Sequence, residues 1–316
     1  MLGTLATAEM LTWLSIGTKA LVYVTTLLAA GSVLSAISLK TLPESEVQIL
    51  KRIAISCAVL AAILSVLRLP LRASFLMGGT WQGAADPMLL TMVADSPLGT
   101  SVALRLVGLA LICAIVIRHW SGQSLAVLGA CIVAASFIMR GHALEEPRLL
   151  LAVLITSHIL SLAFWVGSFA PLYRLAGQSA GQGAGAGQGA GALAHEFGRK
   201  AMGVVAALTV AGGVALWILT GDILGALYTP YGQFFATKLV LFLAVLGLAA
   251  WNKMRLTPEL QRNAAGAGVR LRQSILLESV FVAGVLLVTA VLTTLSAPDV
   301  GIQTSEVGKV IVAILL

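Results

Sequence analysis

The chain has 316 residues, 59% of them hydrophobic and only 10% charged, with a formal net charge of +7. An ordinary globular chain is about 25% charged, and a water-soluble fold of this length has too much surface to cover with so few charges. Nor does the positive balance suggest nucleic acid, because the cations stand singly between apolar runs, with no basic stripe and no interleaved aromatics. The solvent of this chain is mostly lipid.

A bilayer-crossing helix takes about 20 predominantly apolar residues. Eight segments qualify in chain order, at about 12–39, 53–77, 99–118, 121–140, 149–173, 201–220, 233–252 and 274–296. The expected fold class is all-α, one polytopic membrane domain over 1–316. A β-barrel does not fit, since barrel strands are short and alternate in polarity. The first nine residues contain no Lys or Arg, so the positive region of a cleavable signal peptide is missing and the first helix is expected to stay.

Basic residues set the expected orientation. The segments after spans one, three, five and seven hold Lys40, Lys51, Arg52, Arg118, Arg174, Arg199, Lys200, Lys253, Arg255, Arg262, Arg270 and Arg272. The opposite segments hold only Arg140, Arg148 and Lys309. Cytoplasmic loops carry the excess of Lys and Arg, so both termini are expected on the periplasmic side. Between spans five and six, Gly177–Leu193 (GQSAGQGAGAGQGAGAL) reads as a flexible cytoplasmic loop. No Lys-Ser/Thr pair follows it, which excludes a phosphate-binding loop there. The apolar tail 310–316 is too short to span.

An ionisable group inside a span is costly and faces the bundle interior, so each is a functional candidate. His158 lies about 14 Å into the fifth span, near its middle; Lys19 and Arg105 lie about 10 Å into theirs and Lys238 about 8 Å. Arg68 and Arg72 flank Pro70 near the outer end of the second span, where the proline is expected to kink or end the helix. Glu278 stands in the inner half of the eighth. For the five outer-half cations Lys19, Arg68, Arg72, Arg105 and Lys238, two readings stay open. They snorkel or pair with Asp86, Asp95 and Asp222, or they hold the carboxylates or phosphates of an anionic ligand.

Four histidines are present. His119 and His195 fall in expected cytoplasmic loops and read as solvated. His142, at the outer end of span four, and His158 belong to neighbouring antiparallel helices, which brings the two imidazoles into one half of the membrane. Imidazole ligates copper, zinc or iron. Met77, Met88, Met92 and Met139 lie at the same outer side, and thioethers select cuprous ion, although Met also fills gaps in apolar cores. Cys57, Cys113 and Cys131 fall inside spans two, three and four with no CxxC spacing. They read as buried small hydrophobes or, alternatively, as an inner thiolate site.

The stretches Gly141-His142-Ala143, Ser157-His158-Ile159-Leu160 and Phe164-Trp165-Val166-Gly167 are followed by Phe197-Gly198-Arg199, Tyr231-Gly232 with Lys238, and Trp251-Asn252-Lys253. Then come Leu271-Arg272, Ser274, Glu278 and Ser296-Ala297-Pro298. In this order, over about residues 137–298, they resemble the copper resistance protein D (CopD) family. The resemblance implies a multi-pass protein of the bacterial inner membrane in copper uptake or resistance, working beside a periplasmic copper-binding protein. It makes His142 and His158 the leading metal ligands, and Lys238 and Glu278 buried polar family positions. The chain departs from the family pattern where an acidic residue is expected shortly before the second histidine; Thr156 and Ser157 stand there.

Two functions of different class follow. In the first, the protein is a copper permease or binding protein rather than an enzyme. With no nucleotide-binding loop, ATP does not drive it directly, and the electropositive outer half opposes a cation unless it is neutralised. In the second, a b-type haem sits between His142 and His158 with Arg and Lys on its propionates, making a membrane redox protein.

Overall fold

A computed structural model of the chain describes residues 10–139, 148–181, 184–220 and 230–295. Among these residues there are helices and turns and no strand. In chain order the helices are α1 (Met10–Ser38), α2 (Glu44–Leu76), the short α3 (Trp81–Ala85) and α4 (Pro87–Ala94), then α5 (Pro97–Ile112) with a 3-10 turn at Cys113–Val116. They continue with α6 (Trp120–Ala135), α7 (Arg148–Gly167), α8 (Phe169–Gly181), α9 (Ala184–Thr220) and α10 (Pro230–Trp251). A π-helical turn at Asn252–Leu256, α11 (Thr257–Gln261) and α12 (Ala267–Leu295) complete the series. Seven helical stretches are long and apolar enough to cross a membrane, and Trp120–Ala135 is a shorter apolar eighth. The chain is a multi-pass all-α membrane bundle.

Small residues decide the packing, because in lipid helices associate through close backbone approach and interhelical hydrogen bonds rather than by hiding apolar surface from water. Helix α1 is the hub, touching α2, α6, α7 and α12. It meets α7 backbone to backbone: a Cβ added at Gly31 would overlap the Ala163 carbonyl, and one at Gly167 would overlap Gly31. Beside this contact the hydroxyls of Ser35 and Ser168 lie 3.0 Å apart. Gly108 and Gly129 make the same kind of crossing between α5 and α6.

The short helices after α2 begin where side chains take up free backbone N–H groups. Thr80 Oγ1 accepts from Gly83 N (3.3 Å) and Asp86 Oδ1 from Leu89 N (2.9 Å), with Pro87 opening α4. Asp86, a candidate counter-ion from sequence, therefore serves as a helix cap.

Helix α2 runs through Pro70 to Leu76, close to the expected end of the second span, with the proline inside the helix; the ring removes one N–H donor while the packed helix continues. Three outcomes differ from the sequence expectation. The fourth span ends at Ala135 rather than near 140, because the Ser136 carbonyl accepts from Ser101 Oγ (2.6 Å) and Ser136 Oγ accepts from Arg105 Nε (3.1 Å). The Gly-rich segment read as a loop is helical where it is described, in α8 up to Gly181 and in α9 from Ala184. Alanine and glutamine favour helix, Ala190, Leu193 and Ala194 are buried, and Gly191 lets α9 close on Gln261 of α11, with room for no more than a tight Cβ at 3.1 Å. Finally, α2 and α9 begin well before the apolar windows, α2 with a polar first turn whose Glu46 is held by the ion pair described next and α9 at Ala184 in the Gly-rich segment.

Candidate functional site

Where α1 turns into α2, buried carboxylates are fully engaged. Glu196, buried on α9, accepts from Lys40 N (3.0 Å), Thr41 N (2.9 Å) and Thr41 Oγ1 (2.7 Å). Lys200 Nζ donates to the same carboxylate at 2.7 Å and also reaches the Ser38 carbonyl. Glu46, in the first turn of α2 and 2% exposed, receives Arg174 Nε on both oxygens (3.3 and 3.1 Å). Arg272 stacks on the Tyr173 ring, 4.3 Å from its centroid, and its Nη2 donates to Tyr173 Oη at 2.8 Å. Sequence reading gave Glu196, Glu46 and Tyr173 no role. The spacing Glu196–Lys200, one helical turn, is the signal that marks the first of these.

Deeper on the same side, Glu278 of α12 is 3% exposed. It accepts from Trp165 Nε1 of α7 (3.4 Å) and from Asn252 Nδ2, where α10 unwinds into the π-turn. A buried carboxyl is tolerated only with hydrogen bonds of this kind. Both partners are neutral, and no ion pair to Glu278 occurs among the described residues. The carboxyl forms one wall of a cavity of about 310 Å³ shared with Phe169, Phe197, Met202 and Lys253. Such a wall can hold a proton or a cation beside an apolar space.

His158 of α7 hydrogen-bonds the backbone of Leu208 on α9 and lies in the electrostatic field of Lys238 from α10. Gly212 leaves space beside the ring, where an added Cβ would come 4.0 Å from His158 Cε1. His142 lies outside the described residues. Met77 ends α2, and Met88 and Met92, one turn apart, lie on α4; all three side chains are exposed. Met139 is half-buried in the turn after α6. Cys57, Cys113 and Cys131 are all free thiols. Among the described residues no group of three or more His, Cys, Asp and Glu comes together as a metal site. His119 and His195 are exposed.

Lys238 belongs with His158, whereas Arg68 of α2 and Arg105 of α5 lie within electrostatic reach of each other and of Tyr23 on α1. Arg105 is wholly buried. Its Nε bonds Ser136 Oγ (3.1 Å), its Nη2 bonds Ser101 Oγ (3.4 Å), and its plane lies 4.4 Å from the Phe137 ring centroid. Lys19 is buried in α1 and Arg72 half-buried in α2.

Residues 10–149 match the family model described as Copper resistance protein D-like, N-terminal domain, and residues 191–292 match that of Copper resistance protein D. The two matches flank the helix that carries His158. No curated protein and no solved structure matches the chain.

Proposed function

The chain belongs to the copper resistance protein D family, and from that premise we propose that it carries copper across the bacterial inner membrane. The observation that carries this reading is the pair of family matches over residues 10–149 and 191–292 of a multi-pass bundle. In this reading the exposed thioethers of Met77, Met88 and Met92 collect the ion at the periplasmic side, from a periplasmic copper-binding protein. His158, with His142, then ligates it within the bundle. Beyond that step, Glu278 offers an anionic wall to the leaving ion. In the same reading the end carrying the Glu46 and Glu196 pairs, on the side rich in Lys and Arg, faces the cytoplasm.

The test is copper uptake into vesicles reconstituted with the full chain. Flux well above protein-free vesicles is expected, and His158→Ala should lower it at least tenfold while the protein still inserts. Equal flux in the two proteins removes His158 from the site. No flux by the unaltered chain, with its orientation verified and a copper-loaded donor supplied, overturns transport. A Soret band in the purified protein would assign the histidines to haem instead.

A further inference from the structure

Two guanidinium groups sunk into a lipid-embedded bundle call for negative charge, because a buried cation is stable only when paired and hydrogen-bonded. Around Arg105 the protein supplies two hydroxyls and an aromatic face, all neutral. Its Nη1 is buried with no hydrogen-bond partner, and the Nη1 of Arg68 is in the same condition. So is the hydroxyl of Tyr23, whose ring packs on Phe137 with centroids 5.8 Å apart, under the same ring that Arg105 covers. Three unspent donors from α1, α2 and α5 thus stand in one electrostatic neighbourhood. Among the described residues neither arginine has a carboxylate at ion-pair distance. Asp86 is committed to capping α4 and Asp95 is exposed at its end.

Neutral partners on the remaining donors hold Arg105 in a fixed orientation, with one edge of its fork left over. That is the form of a preorganised oxyanion receptor, in which planar donors meet two oxygens at once. We propose that Arg68, Arg105 and Tyr23 form a binding site for a phosphate-type oxyanion, supplied either as free inorganic phosphate or as a lipid phosphate. Arg105 lies eight residues into α5 and Arg68 eight residues before the end of α2, so the site is about 12 Å inside the helix ends. The bound anion neutralises the pair, which is separate from the His158–Lys238 group.

The experiment uses the full chain in nanodiscs of zwitterionic phosphatidylcholine. Equilibrium dialysis with radiolabelled inorganic phosphate tests the free anion, and native mass spectrometry after addition of phosphatidylglycerol tests the lipid. One equivalent of either is expected, and which one binds identifies the source. Arg68→Gln should weaken binding at least tenfold, and Tyr23→Phe about threefold. Arg68 carries the test because Arg105, tied to Ser101 and Ser136, is also part of the fold. The proposal is overturned if the unaltered chain binds neither probe, or if Arg68→Gln binds as tightly as the unaltered chain.

Discussion

Glu46 and Glu196 lie on the side of the bundle where α1 turns into α2, Glu46 held by Arg174 of α8 and Glu196 by Lys40 and Thr41 of the turn together with Lys200 of its own helix. Around Arg68 and Arg105 the sign is reversed, and buried donor atoms are left without acceptors. The first region closes its electrostatics within the chain, as a structural joint does. The second leaves charge unbalanced, and in a low-dielectric interior that imbalance has to be met by something that binds. Ionisable residues in a membrane span are therefore of two kinds, and the state of their hydrogen bonds separates them better than their depth.

The contrast predicts opposite responses to mutation, which unfolding in detergent by heat or denaturant can read. The largest loss is expected for Glu196→Ala, which frees two backbone N–H groups and the Lys200 ammonium at once, costing about 3 kcal/mol. Next, Arg174→Met leaves the Glu46 carboxylate buried without its cation. Because Arg174 is itself 46% exposed, the cost should be about 2 kcal/mol, below that of a fully buried pair. Tyr173→Phe keeps the ring under Arg272 and removes only the hydroxyl, for about 1 kcal/mol. At the other region, Arg68→Met in phosphate-free, lipid-depleted detergent should change stability by less than about 0.5 kcal/mol or raise it, since replacing an unmatched buried charge by an apolar chain is neutral or favourable. A loss at Arg68→Met as large as that at Arg174→Met would erase the distinction.

How much of this was legible in the sequence follows from how little a lipid-facing helix reveals. The spans were legible because length and apolar content suffice for them. His158, Glu278, Arg68 and Arg105 stood out because charge among apolar residues is conspicuous. Their partners did not, since these helices are apolar on all sides and periodicity carries no information on which face turns inward. The Glu196 clamp on Lys40 and Thr41 joins residues more than 150 positions apart, and only the fold brings them together. The Gly-rich tract misled for a related reason. Glycine was read as freedom of the backbone, whereas at Gly191 it provides proximity to α11. The early end of α6 depends on Ser136 being held by Ser101 and Arg105, a contact with no local sequence signature.

The backbone contact between α1 and α7 has a mechanical meaning. With no side chain between Gly31 and Gly167, the two helices have nothing to interdigitate and nothing to unlock. They can swivel about that point at small cost, but separating there would strip the Ser35–Ser168 hydroxyl contact and open a void against lipid. If the bundle rocks between two states, Gly31 is its fulcrum, and the gap that opens and shuts lies away from it. Gly31→Ala would put a Cβ onto the Ala163 carbonyl and so force the two helices apart at the fulcrum itself.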